Sequence, residues 1–150
     1  MTPRPIIVAL AASAATAATL MAATPAQAAT TRTTCSAGVS GTQVCVGVQT
    51  SGGDVRGYAK VSDVAGGPDL DVNVRSVVLQ RRTCGGSWQT WTSVRNTGDT
   101  SGTSDTDVTT WVVFPSRVQF RTVTTYSAED AAPPYLGRSG TATSRAFGTC

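Results

Sequence analysis

Asp71-Val-Asn-Val-Arg-Ser-Val-Val-Leu-Gln-Arg-Arg-Thr-Cys-Gly-Gly-Ser-Trp-Gln-Thr-Trp-Thr-Ser93 decides the fold of this chain. Two arms rich in β-branched residues flank Cys84-Gly85-Gly86, and they carry Trp88 and Trp91, two of the three tryptophans. Apolar residues that alternate at period two on either side of a glycine turn predict a β-hairpin. An even-length turn puts odd positions of the first arm on the face of even positions of the second. Val77 and Leu79 then share a face with Trp88, Thr90 and Val94, which predicts Trp88 in the core. Val78 and Gln80 share the other with Gln89, Trp91, Ser93 and Arg95. Val72 and Val74 are out of phase with Val77 and Leu79, so a bulge is expected near Arg75-Ser76.

The same alternation extends outward. Val44, Val46 and Val48 alternate within Gln43 to Thr50, and Ser51-Gly-Gly-Asp54 is a hairpin turn signal. Val55, Ala59 and Val61 face one way in the next strand, and Arg56, Tyr58 and Lys60 the other. Asp63 to Leu70 is a loop, and Asn96 to Thr106 is a polar one. Asp107 to Phe114 is expected as a strand stopped by Pro115. Arg117 to Tyr126 is another, with Val118, Phe120, Thr122, Thr124 and Tyr126 on one face. Ser127 to Gly137, containing Pro133-Pro134, is a loop, and Arg138 to Phe147 is the last strand.

About seven short strands at this spacing predict an all-β, antiparallel sandwich. Val77-Val-Leu-Gln-Arg-Arg followed by Gly85-Gly-Ser-Trp88, and later Val118-Gln-Phe-Arg-Thr-Val123, is similar to the C–C′ and F strands of immunoglobulin- and fibronectin-type domains. No cysteine lies in the 117–126 strand, so the inter-sheet disulfide of antibody domains is absent. The resemblance implies an immunoglobulin-like fold and carries no function with it.

The N-terminus reads as a secretory signal over residues 1–28. Arg4 supplies the positive region, Ile6 to Ala23 the weakly apolar run, and Ala26-Gln27-Ala28 the cleavage site. Residues 29–42 follow as an N-terminal segment, and 43–150 as a single sandwich domain. Beyond the leader there is no His, Ile or Met and a single Lys, Lys60. With the Ala-rich leader, this usage resembles small secreted actinobacterial proteins. Eleven Lys and Arg outside the leader face nine acidic residues. That excess is too mild and too scattered to indicate nucleic acid, and the weak leader gives no stable membrane anchor.

Cys35, Cys45, Cys84 and Cys150 are an even set in an exported domain, which implies two disulfides among three possible pairings. Cys35 and Cys45 flank a turn-like Ala-Gly-Val-Ser-Gly. Cys84 and Cys150 both follow strands that, if adjacent and parallel, end at one pole. The expected bonds are therefore Cys35–Cys45 and Cys84–Cys150, with no metal site and no cofactor.

The absence of His excludes Ser-His-Asp and Cys-His machinery, and oxidised cysteines supply no thiol nucleophile. The carboxylate pairs Asp69/Asp71 and Asp105/Asp107 are expected to be solvated. Asp99, Ser101, Asp105 and Asp107 are oxygen-rich but lack the spacing of a calcium loop. The chain is thus expected to be a non-enzymatic secreted module that binds an extracellular protein or a glycan. Its recognition residues are sought in Pro133-Pro134-Tyr135-Leu136-Gly137-Arg138, with Tyr135, Leu136 and Arg138 on a proline-stiffened loop. Trp91, with Trp111, is a second candidate as a stacking platform, unless an arginine stem covers it. Arg81-Arg82-Thr83-Cys84, a basic tip beside a disulfide, would suit an inhibitor of a protease or glycosidase. A small carboxylate-dependent hydrolase is the remaining alternative.

Overall fold

The structure is a computed structural model that describes residues 29–67, 69–96 and 102–150. The leader lies outside the described residues. Nine strands are present among the described residues: β1 Thr30–Ala37, β2 Thr42–Ser51, β3 Asp54–Asp63, β4 Leu70–Thr83, β5 Gln89–Arg95, β6 Ser104–Val108, β7 Val112–Val113, β8 Val118–Asp130 and β9 Gly137–Thr143. They form two antiparallel sheets. One runs β1-β2-β3-β6 with β7 also on β3, and the other runs β5-β4-β8-β9.

The alternation read from the sequence is the alternation that packs. Val44, Val46 and Val48 of β2 and Val55, Ala59 and Val61 of β3 are buried, and they face Val72, Val74, Val77 and Leu79 of β4. In β8, Val118, Phe120, Thr122, Thr124 and Tyr126 all point inward. The core divides into two clusters along the strands, one around Tyr126 and the other around Phe120. Thr122 is admitted because its hydroxyl donates to the Gly47 carbonyl at 2.6 Å, which satisfies a buried polar group.

The β2–β3 turn is made by Gly52 and Gly53, whose φ angles of 58° and 91° suit the mirror-image turn that matches strand twist. The bulge of β4 falls between Val74 and Ser76. Both disulfides form as expected. Cys35–Cys45 is a direct cross-strand bridge between β1 and β2 rather than a clasp on a loop. Strands β4 and β9 flank β8 and both run antiparallel to it, so they are parallel to each other. Their continuations meet at one end in Cys84–Cys150.

Several expectations are corrected. Trp88 is not core. A second bulge, between Leu79 and Gln80, leaves Trp91 as the extra residue of β5 and inverts the alternation beyond it. Val94 and Thr92 therefore face inward with Val77 and Leu79. Trp88 turns to the outer face, half-buried between Arg82 and Arg121, 4.5 and 4.4 Å from the ring centroid. The segment 29–42 holds a full strand, β1, paired along its length with β2. The strand expected over 107–114 splits into β6 and β7, and β6 begins three residues earlier, at Ser104. The last strand ends at Thr143; beyond it the Ser144 amide still donates to Thr122 O at 2.9 Å, and Phe147 forms an isolated bridge to Phe120.

Asp105 and Asp107 are half-buried rather than solvated. β5 covers β4 only from Ser76 onward, which leaves the amides of 72 and 74 open on that edge. The chain entering β6 closes this gap: Gly102 O takes the Val72 amide and Asp105 Oδ2 the Val74 amide, at 2.9 and 2.7 Å. Burial, and then repulsion from Asp105, raises the pKa of Asp107, against a hydrogen bond from the Asn96 side chain. Asp105 thus has a structural task. Asp99 and Ser101 of the oxygen-rich run lie outside the described residues.

Candidate functional site

The sandwich has two ends of different character. At one end the segment 64–67 and the loop 131–136 lie beside the start of β4, and the Ala131 amide donates to Asp69 O at 3.1 Å. Asp63 orders the first loop by accepting the amides of Ala65 and Leu70, each at 3.0 Å. The second turns tightly, with the Tyr135 amide donating to Ala132 O at 3.1 Å and Tyr135 at a φ of 51°. That backbone carries Tyr135 and Leu136 away from the core: their exposures are 56% and 59%, and Val64 on the neighbouring loop reaches 61%. Neither side chain folds back, so an aromatic and an aliphatic group stand in water on a loop pinned by backbone bonds. Arg138 is exposed at the start of β9, opposite Ala128.

At the Cys84–Cys150 end the sandwich is open between β1 and the segment after β9. Two adjoining hollows of about 490 and 570 Å³ share Phe114 and Phe147. The first reaches the Gly52–Gly53 turn and Asp54; the second is walled by Arg32, Thr34, Ser144 and Arg145. Phe114 packs on Phe120 and Phe147 at centroid separations of 5.4 and 5.5 Å, and the Arg32 guanidinium lies 5.2 Å above the Phe147 ring. Among the described residues, Asp54 is the one carboxylate side chain that lines these hollows.

All three tryptophans are covered by arginine. Trp88 lies between Arg82 and Arg121, Trp91 lies under Arg81 at 3.4 Å, and Trp111 lies under Arg56 at 4.3 Å. Trp91 and Trp111 remain 38% and 37% exposed, and their segments are linked by the Thr92 and Thr110 hydroxyls, 3.2 Å apart. One face of each ring is therefore already stacked, which leaves a poor platform for a sugar. Arg81 and Arg82 belong to β4, and the tip that follows closes tightly through the Gly86 amide to Thr83 O at 2.9 Å. No extended inhibitory loop stands out from this hairpin, because its arginines lie along the sheet.

Comparison with protein-family models, curated proteins and solved structures gives no match to this chain. Sequence reasoning missed the open cleft, because Phe114 and Phe147 carry no alternation and Arg32 lies on a strand without a hydrophobic face.

Proposed function

We propose that this chain is an exported, non-enzymatic binding module of immunoglobulin-like topology that meets an extracellular protein through Tyr135 and Leu136. Its leader, residues 1–28, is removed on export. The two disulfides support the compartment, since such bonds persist where thiols are oxidised. The order of the sheets supports the topology. β2-β3-β6 against β5-β4-β8-β9 corresponds to the A-B-E and C′-C-F-G sheets of fibronectin-type domains, with β1 added outside the first.

The observation that carries the reading is the outward projection of Tyr135 and Leu136 from a short loop tied to its neighbour at Asp69. Exposed apolar side chains cost solvation, and on a preorganised loop they lose little entropy when a partner covers them. A tyrosine supplies contact area together with a polar tip, as in other recognition loops.

The test is a photo-crosslinking amino acid placed at position 135, with a second at Thr141 on the outer face of β9 as control. The expected result is a discrete covalent adduct from position 135 in culture fractions and none from 141. Equal adducts from both positions would remove the assignment.

A further inference from the structure

The fold sorts charge that the sequence scatters. Antiparallel strands return to the same end about every two strand lengths, and arginines recur at that interval. Arg32, Arg56, Arg81, Arg82, Arg117, Arg121 and Arg145 all fall in the half of the molecule that holds Cys84–Cys150, as their strand registers place them. Asp63, Asp69, Asp71, Asp105, Glu129 and Asp130 fall in the other half, with Leu70 opposite Asp130 and Asp71 opposite Glu129. Among the described acidic side chains, Asp54 alone sits at the arginine end. A small net charge thus conceals a strongly positive end, and a field of one sign over a cleft concentrates anions there.

The arginines are held ready rather than consumed. Arg82 Nε donates to Gln119 Oε1 at 2.9 Å and Arg121 Nε to Gln80 Oε1 at 2.8 Å, while both guanidinium groups stack on Trp88. Stacking uses the face of a guanidinium and leaves its in-plane N–H groups able to grip an oxyanion. The Arg32 guanidinium lies over the Phe147 ring, at the lip of the cleft. The cleft adds hydroxyls from Thr30 and Thr34 and an aromatic floor from Phe114 and Phe147. Its volume lies within the range of sites for small organic ligands.

We propose that this end binds a linear acidic polysaccharide, with one charged sugar residue seated between Arg32 and Arg145 over the Phe114–Phe147 floor. Arg82 and Arg121 extend the contact along the outer face of the β4–β8 sheet. Guanidinium groups match the carboxylates or sulfates of such a chain, hydroxyls match its alcohols, and the Phe114 ring, which lines both hollows, matches its C–H faces. A nucleic acid fits less well, because the tryptophan faces that would stack on bases are taken by arginine. This proposal concerns the end opposite Tyr135 and stands or falls independently of the protein contact there.

The experiment is retention of the oxidised protein on immobilised heparin, eluted with salt, beside immobilised neutral dextran and polyphosphate. Binding is expected on heparin at about 50 mM salt, lost with increasing salt as counterions compete. Arg32→Gln/Arg145→Gln is expected to weaken heparin affinity by about tenfold or more, since the loss of either charge-assisted contact alone is on that scale. Arg138→Gln, at the acidic end, is expected to change it less than about twofold. Unfolding midpoints equal to that of the unaltered protein would show the variants folded. Failure to bind heparin, unchanged affinity of the double variant, or equal retention on polyphosphate would each overturn the proposal, the last because charge alone would then suffice.

Discussion

The Tyr126 hydroxyl accepts the Val39 amide at 3.2 Å, joining residues 87 positions apart. Val39 begins the short 3-10 turn, Val39–Gly41, between β1 and β2, so this one bond ties the first hairpin of one sheet to the central strand of the other. The ring reaches that far because Gly140 lies opposite Tyr126 on β9, where a Cβ would land on the phenol. Tyr126→Phe is expected to lose about 0.5–1.5 kcal/mol, the net value of one hydrogen bond. Gly140→Ala forces the ring to move and is expected to cost about 1–3 kcal/mol. Urea midpoints of the two variants check both figures.

Trp88 is stacked between arginines on the outer face, and its removal is correspondingly cheap. Trp88→Ala is expected to cost about 1 kcal/mol, the scale of partly exposed cation–π contacts, rather than the roughly 3–5 kcal/mol of a buried tryptophan. A thermal or urea denaturation distinguishes the two. A loss in the higher range would restore Trp88 to the core.

Asp107 gives the fold a pH dependence of defined sign. Burial and the Asp105 charge raise its pKa above 3.8, so the folded protein keeps this proton to higher pH than the unfolded chain does. The stability it contributes is fully present below the ordinary carboxylate range and is lost as pH rises through the folded value. Asp107→Asn is therefore expected to be more stable than the unaltered protein at neutral pH, with the gap closing at about pH 3. Urea midpoints at the two pH values test this, and a gap that widens on acidification would contradict it.

The two disulfides close loops of different length, 10 and 66 residues in separation. On the chain-entropy account they stabilise by about 3 and about 4 kcal/mol. Replacing Cys84 and Cys150 with serine is expected to lower the unfolding midpoint more than replacing Cys35 and Cys45. It also frees the segment after β9 that walls the cleft, so heparin retention is expected to fall in that variant alone.

The parts of the fold legible in the sequence were those governed by a period of two. Val55, Ala59 and Val61, or Phe120, Thr122 and Thr124, announce their inward face by alternation alone. Thr30–Ala37 does not, because both its faces are polar and it is placed by pairing with β2. Trp88 was misassigned because a single extra residue, Trp91, reverses the phase, and nothing local marks that insertion. The Tyr135 loop was visible as turn chemistry, but its projection depends on backbone bonds to Asp69 and Ala132. The grouping of arginines needed strand direction: Arg32, Arg56 and Arg81 lie about one hairpin repeat apart, a spacing with meaning only once the sheets are known.

The most direct measurement of the central claim is quantitative co-purification of the oxidised protein with culture-supernatant and envelope proteins, comparing it with Tyr135→Ser/Leu136→Ser. Both side chains are exposed, so the double variant is expected to unfold within about 0.5 kcal/mol of the unaltered protein. The account predicts a small set of proteins retained by the unaltered chain and depleted about tenfold or more by the variant, the loss expected when a hot-spot pair is removed. The same set retained equally by both proteins would contradict it.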